Sequence, residues 1–385
     1  MTCYREGVYR RLLLAFPACL GCGRFNFDPL LETGDAANDA ALVRCTNGAA
    51  FASRTDYGTG AMPYSAVIHD LDADGDLDVV TTAWSVGAIN VLLGNGDGTL
   101  QPFVSYAVPP RPVSIAVARI NADGAPDLVV ATQFGISVLM NRGNGAFDLG
   151  VNYSTSASSD IVAADFDRDG DTDLAATTLG GELIVYTNDG SGIFTWVVVP
   201  ASGSGHFGLG GGDVDADGDL DLVTAGELSG NVSILTNDGA GNFLATATYG
   251  SVQSSEIAVG DFNGDARPDL GIISSTRVGV EVLLNTGPTF APSMLFATIA
   301  VGSDVSTIDI DADGDLDLLV ADGPDESASV LAGAGDGTFS APTTYAVASE
   351  PSSVAAGDLD QDGHLDLVVS NVLAGSVSVL LGRCL

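Results

Sequence analysis

Asp70-Leu71-Asp72-Ala73-Asp74-Gly75-Asp76-Leu77-Asp78 places five carboxylates in nine residues around one glycine. The pattern returns at residues 119, 165, 213, 261, 309 and 358, in steps of 49, 46, 48, 48, 48 and 49 residues. Chance does not give six near-equal steps, and a fixed period of this size marks a repeat architecture. A second landmark follows each Asp run by about 25 residues: a Gly-rich turn ending in an aromatic or Leu. Examples are Leu93-Gly94-Asn95-Gly96-Asp97-Gly98-Thr99-Leu100, Asn237-Asp238-Gly239-Ala240-Gly241-Asn242-Phe243 and Ala334-Gly335-Asp336-Gly337-Thr338-Phe339.

Between the landmarks the apolar runs are short. Residues 316–320 form one; Val377, Val379 and Leu381 form another. Runs of this length bounded by Gly, Asp and Pro read as strands, and no helix-period stripe of ten or more residues is present. Four strands per repeat match a propeller blade. The predicted fold is therefore all-β, a seven-bladed β-propeller of four-stranded antiparallel blades over residues 45–385. The last repeat stops at Leu381-Gly382-Arg383-Cys384-Leu385, before its turn and fourth strand. Cys45-Thr46-Asn47-Gly48-Ala49-Ala50-Phe51 mimics the missing turn, and residues 52–57 supply a strand. The N-terminal segment is thus expected to complete the seventh blade. An open stack of β-repeats would not need complementary halves of one unit.

The Asp runs and the Gly-Asp-Gly-Thr-Phe turn resemble the FG-GAP (VCBS-type) repeats of integrin-alpha-like β-propellers, over residues 46–385. The resemblance implies a propeller with calcium in its hairpin loops. Coordination chemistry agrees: calcium takes six to eight oxygens, and carboxylates at positions 1, 3, 5 and 9 can wrap one ion, with a backbone carbonyl near position 7. Gly at position 6 permits the sharp turn. Five loops meet these requirements. Their ligand sets are Asp70, Asp72, Asp74 and Asp78; Asp165, Asp167, Asp169 and Asp173; Asp213, Asp215, Asp217 and Asp221; Asp309, Asp311, Asp313 and Asp317; and Asp358, Asp360, Asp362 and Asp366. An EF-hand is excluded, because position 12 is Thr81, Ala176, Thr224, Val320 and Val369 in place of Glu. Loop 2 has Arg119 at position 1, so no calcium is expected there, and the guanidinium is expected to pair with the loop's carboxylates. Loop 5 keeps Asp261, Asn263, Asp265 and Asp269 but has Ala266 for Gly and a nearby Arg267, which leaves a sixth site open.

Charge supports metal over plain acidic turns. The chain has 42 Asp, 8 Glu, 13 Arg and no Lys, for a net charge of −37, and 29 of the Asp lie in the seven loops. Carboxylates this crowded repel one another unless a cation neutralises them. The same charge excludes a nucleic-acid partner, which needs a basic surface. Disorder is excluded by 46% apolar residues.

Residues 1–21 read as an export signal, with Arg5, Arg10 and Arg11 before a short apolar stretch at residues 12–20. The segment resembles a bacterial lipoprotein signal with Cys22 as the lipidated residue, although Cys19 stands where Leu is commonest. Residues 22–44 read as a flexible tether. The expected location is the cell envelope or cell surface, through an N-terminal lipid anchor; a simple secretory signal is the alternative. With Cys3 and Cys19 lost and Cys22 modified, Cys45 and Cys384 remain. They fall in the same turn of the closing blade, which predicts a disulfide and an oxidising compartment.

No nucleophile elbow, His-Glu-x-x-His pair or P-loop is present, and the clustered Asp are committed to calcium, so no enzyme is expected. His69 and His364 border Asp loops; His206 is placed in a loop beside Phe207. In a four-strand meander the Asp loops occupy one face. The other face then presents Trp84, Arg111, Phe134, Asp160, His206, Phe207, Glu227, Arg277 and Glu350. Trp196 is read as strand packing. The leading functional expectation is a binding or adhesion module for a protein or glycan ligand. The alternatives are a lectin-like carbohydrate receptor and an enzyme built on a propeller scaffold.

Overall fold

The computed structural model describes residues 42–45, 48–200, 206–226, 230–250, 254–274, 277–287 and 289–385. The export signal, Cys22, Glu227 and nearly all of the tether lie outside the described residues. Among those described, there are seven four-stranded antiparallel sheets; six run in sequence order from the inner to the outer strand, and the seventh takes its outer strand from the N-terminal segment. Blade 1 holds Ala66–His69, Asp78–Ala83, Ala88–Leu92 and Val104–Ala107. The inner strands of successive blades, beginning Ala66–His69, Ser114–Ala118 and Ser158–Ala164, contact one another in turn. Pro351–Gly357 of blade 7 meets Ala66–His69 again, so the ring is closed.

The second strand of every blade, such as Asp78–Ala83 or Asp317–Asp322, is buried at all six positions. A sheet covered on both faces by its neighbours has no solvent side, so its sequence is a continuous run of Val, Leu, Ala and Thr without alternation. The core is accordingly divided: among the described residues there are seven apolar clusters, one between each adjacent pair of blades. A fully buried Val or Leu contributes about 1.5–3 kcal/mol.

Four outer strands, Thr55–Gly58, Val104–Ala107, Val151–Ser154 and Thr343–Ala346, are exposed except for a half-buried Tyr at the third position. That Tyr explains the aromatic ending of the Gly-rich turns. Tyr106 packs edge-on against Phe147 of the next blade, Tyr153 against Phe194 and Tyr345 against Phe51, with ring centroids 5.4, 5.4 and 4.9 Å apart. Edge-to-face pairs contribute about 0.5–1.5 kcal/mol beyond their area. Trp196 falls in a strand, as expected, and at the surface. It lies on the outer strand Phe194–Pro200 and packs near Tyr153 and Tyr186, yet it is 47% exposed.

The closing blade is built from both parts of the chain. Thr55–Gly58 pairs antiparallel with Ser376–Leu380, Tyr57 opposite Val377. This matches the expected completion, with the strand starting three residues later than residue 52. Ala49–Phe51 also pairs with Gly382–Cys384, and Cys45 is bonded to Cys384 as the cysteine arithmetic predicts.

Candidate functional site

All seven Asp runs connect the inner strand of a blade to its second strand, so they share one face. The Asp at position 9 opens the second strand and is buried in every blade. Its two oxygens divide their work. One accepts the backbone N–H of position 2, from Leu71, Ile120, Phe166, Val214, Phe262, Ile310 and Leu359, at 2.8–3.2 Å. The other accepts the first N–H of the Gly-rich turn, from Gly94, Asn141, Asn188, Asn237, Asn285, Gly333 and Gly382, at 2.6–2.9 Å. One carboxylate therefore ties both landmarks of a repeat together. Burial, only partly offset by these donors, pushes Asp78, Asp173, Asp221, Asp269 and Asp366 up to about 7 and Asp317 to about 8. Neighbouring carboxylates add to the rise.

Position 1 accepts the N–H of position 6, as in Gly75 to Asp70 Oδ2 at 3.1 Å and Gly314 to Asp309 Oδ2 at 2.9 Å. Position 5 accepts the N–H of position 7, as in Asp76 to Asp74 Oδ1 at 2.9 Å. Glycine at position 6 has positive φ, 92° at Gly75 and 103° at Gly314. Position 4 is left-handed too, at Ala73, Arg168, Ala216, Ala312 and Gln361. Strain of this kind costs of order 1 kcal/mol per residue and persists only where the surroundings impose it.

The donor set fits a hard cation. In loops 1, 3, 4 and 6 the carboxylates of positions 1, 3 and 9 offer oxygens within 4.8 Å of one another: Asp70, Asp72 and Asp78; Asp165, Asp167 and Asp173; Asp213, Asp215 and Asp221; Asp309, Asp311 and Asp317. Asp70 Oδ1 and Asp311 Oδ1 are buried without a hydrogen-bond donor, as an oxygen reserved for an ion would be. Position 5 (Asp74, Asp169, Asp217 and Asp313) stands outside these triads. In loop 7, Asp358 and Asp366 make the same backbone contacts as their counterparts, and Asp362 caps His364 N–H at 2.8 Å.

The two irregular loops separate clearly. In loop 2, Arg119 Nε donates to the Gly124 carbonyl at 3.1 Å, which puts a cation inside the loop. In loop 5, Arg267 is paired with Asp265, one of the expected ligands, and its Nε donates to the Asn285 carbonyl at 3.0 Å. Loop 5 also carries its glycine two positions early: Gly264 takes φ 73° and Ala266 takes φ 66°.

Another layer of contacts joins the loops around the ring. The position-2 carbonyl accepts from the Gly-rich turn of the next blade: Leu71 from Asn141 Nδ2 at 2.7 Å, Ile120 from Asn188 at 2.8 Å, Phe166 from Asn237 at 2.8 Å and Val214 from Asn285 at 2.8 Å. Gly337 N–H does the same to Phe262, and Gly98 N–H to Leu359. Between blades 6 and 7, Cys45 N–H donates to the Asp311 carbonyl at 2.8 Å. The recurring apolar residue at position 2 and the Asn opening the turn are the sequence signals for this layer.

The opposite face carries a cavity of about 790 Å³ lined from six blades, which places it on the ring's axis. Trp84, Arg111 and Glu350 line it as expected from chain topology, together with Tyr64, Gln133, Ser159, Glu256 and Ser352. The Arg111 guanidinium lies over the Trp84 ring, 5.1 Å from its centroid, and Tyr64 is 5.9 Å from the same ring. Phe134 is exposed but does not line the cavity. Asp160 is a buried connector, accepting Ser114 Oγ at 2.8 Å and Leu209 N–H at 3.0 Å from the flanking blades. His206 and Phe207 fall in the inner strand His206–Gly212 and not in the loop expected for them; their side chains lie outside the described residues. His69 is buried, its Nδ1 2.9 Å from the Asp70 carbonyl.

A closed ring of β-blades with one acidic hairpin loop per blade defines a repeat propeller. The FG-GAP-like repeat matches six times, at residues 70–130, 119–176, 165–224, 213–272, 261–320 and 309–369, and the chain belongs to that family. No curated protein matches it. Solved structures share the fold. BBS1N in complex with ARL6DN has a TM-score of 0.62 at 12% identity, covering 86% of this chain and 96% of that one. A catalytically inactive virginiamycin B lyase from Staphylococcus aureus with quinupristin has a TM-score of 0.58 at 14% identity, covering 86% and 99%. An Agrocybe aegerita lectin that recognises non-reducing terminal N-acetylglucosamine has a TM-score of 0.55 at 18% identity, covering 85% and 86%.

Proposed function

We propose that this chain is an exported, calcium-stabilised propeller acting as a non-catalytic binding module. The Asp loops fix one face, and the axial cavity on the other receives a protein or glycan ligand. The convergence of positions 1, 3 and 9 in four loops carries the metal half of this reading. The ions would neutralise carboxylates that burial and mutual repulsion otherwise hold toward the protonated form, and they add folding stability by mass action. Loops 1, 3, 4, 6 and 7 are the five sites; Arg119 removes loop 2, and the Arg267–Asp265 pair weakens loop 5. Export and lipid anchoring at Cys22 rest on the sequence of residues 1–22 and suit both the disulfide and an extracellular calcium supply.

Elemental analysis of natively purified protein is expected to find about five calcium ions per chain, and chelation to lower the melting temperature by roughly 10 °C or more. Metal-free material, or a melt indifferent to chelator, would sink the proposal.

The aromatic pair Tyr64 and Trp84 in the cavity favours a second reading, a carbohydrate receptor, since sugars stack on such rings. Binding on a glycan array that is lost in Trp84→Ala supports it; an empty array with retained capture of envelope proteins supports the first.

A further inference from the structure

The bridge of the closing blade has a third member. His364 Nδ1 lies 3.8 Å from Cys45 Sγ and 3.9 Å from Cys384 Sγ. The three donor atoms fall within 4.8 Å of one another. Each of the three backbones is also held by hydrogen bonds of its own. Cys45 N–H donates to the Asp311 carbonyl at 2.8 Å, and Val43 N–H to the carbonyl of Gly363, beside His364, at 2.7 Å. Cys384 is opposite Ala49 in the short ladder, and Leu385 N–H donates to Gly48 at 3.1 Å. His364 N–H is held by Asp362. Opening the bridge therefore leaves two thiols and an imidazole facing one another.

We propose that the reduced form of Cys45 and Cys384, with His364, is a binding site for a thiophilic divalent ion of the zinc type. Tetrahedral zinc with bonds of about 2.3 Å to sulfur and 2.0–2.1 Å to nitrogen sets sulfur and nitrogen about 3.6 Å apart. The present separations are within a few tenths of an ångström of that. The two sulfurs must move to about 3.8 Å from each other, and with Cα atoms 4.9 Å apart side-chain rotation supplies this. Thiolate and imidazole donors select such an ion over calcium, which takes oxygen, so the site is distinct from the Asp loops. Cys45 is 3% exposed, and a net charge of −37 raises the local concentration of any cation. Three protein ligands leave the fourth position to water.

The chemistry balances with a dithiol as reductant. Its two sulfurs form a disulfide and pass two electrons and two protons to Cys45 and Cys384. Ion binding then releases both thiol protons, while His364 donates the Nδ1 lone pair. The closing blade would have two exchangeable clasps, one covalent and one through a metal. This inference goes beyond the calcium reading and stands without it.

The test uses the full chain with Cys3→Ser, Cys19→Ser and Cys22→Ser, saturated with calcium, reduced with dithiothreitol and desalted without oxygen. Cadmium is the probe, read by thiolate-to-metal ultraviolet absorption. One equivalent is expected to develop the band in reduced protein and none in oxidised protein, and His364→Ala to weaken binding at least about tenfold. A Cys45→Ala/Cys384→Ala pair is expected to melt as a folded protein and show no band. Absence of the band after reduction, cadmium affinity unchanged in His364→Ala, or a double variant unfolded at room temperature overturns the proposal.

Discussion

The position-9 aspartate does two jobs that single-residue replacements can separate. In blade 6, Asp317 accepts Ile310 N–H and Gly333 N–H, bonds that exist whether or not an ion is present. The position-3 residue of blade 1, Asp72, sits on the loop and its contact is local, with Asp74 N–H donating to it at 3.3 Å. Asp317→Ala strands two backbone donors and is expected to cost about 3 kcal/mol in chelator, and more in calcium, where a ligand is lost as well. Asp72→Ala is expected to lower the melting temperature in calcium and to leave the chelated protein almost unchanged. Thermal melts in the two conditions decide it; equal losses for both variants in chelator would show that the division of labour is wrong.

These same residues set a pH dependence. Asp78, Asp173, Asp221, Asp269, Asp317 and Asp366 have folded-state values near 7 or 8, above their unfolded values, so the metal-free folded protein binds more protons than the unfolded chain. Their contribution is complete below about pH 4 and is lost as pH rises through about 7. Chelated protein should therefore lose stability from pH 4 to pH 8. Saturating calcium, which binds the deprotonated form, should flatten or reverse that slope. A chelated protein that gains stability across this window contradicts the assignment.

At the scale of the repeat, seven loops of one length differ in charge at single positions. Loop 2 has the turn, the buried Asp127 and an Asn121 oxygen at position 3, but carries a cation at position 1 where the five full loops carry a carboxylate. Arg119→Asp is expected to raise calcium stoichiometry by one per chain in isothermal titration; an unchanged count would mean that loop geometry, and not residue 119, closes the site. The repeat itself was plain in the sequence because Asp-rich turns of fixed spacing leave a strong pattern. Other features left weaker traces. Asn141, Asn188, Asn237 and Asn285 look like ordinary turn residues until the ring brings each against the preceding blade's position-2 carbonyl. Asp160 carries a charge in a position that chain topology assigns to the open face, yet neighbouring blades bury it. Phe134 and Trp196 show the converse. Their place along the chain is legible, but their exposure, 53% and 47%, is not.

For the whole molecule, closure is the decisive feature, and it was readable because the two incomplete halves of one repeat are complementary. A bridge over a sequence separation of 339 residues removes much chain freedom from the unfolded state, of order 4 kcal/mol or more in the chain-entropy account. Cys45→Ala is expected to lower stability by several kcal/mol and to expose Cys384 to thiol labelling. Full labelling of Cys384 in the oxidised parent would refute the bridge.

The pairing of Thr55–Gly58 with Ser376–Leu380 also constrains biosynthesis. A ribosome adds about 5–20 residues each second, so the first strand waits roughly 15 to 60 s for its mate to emerge. By the end of that interval the polypeptide can hold six stacked units with raw, unpaired margins at both ends, the kind of intermediate that chaperones shield. Destabilising changes at this seam should therefore depress yield of soluble product before they alter the mature particle.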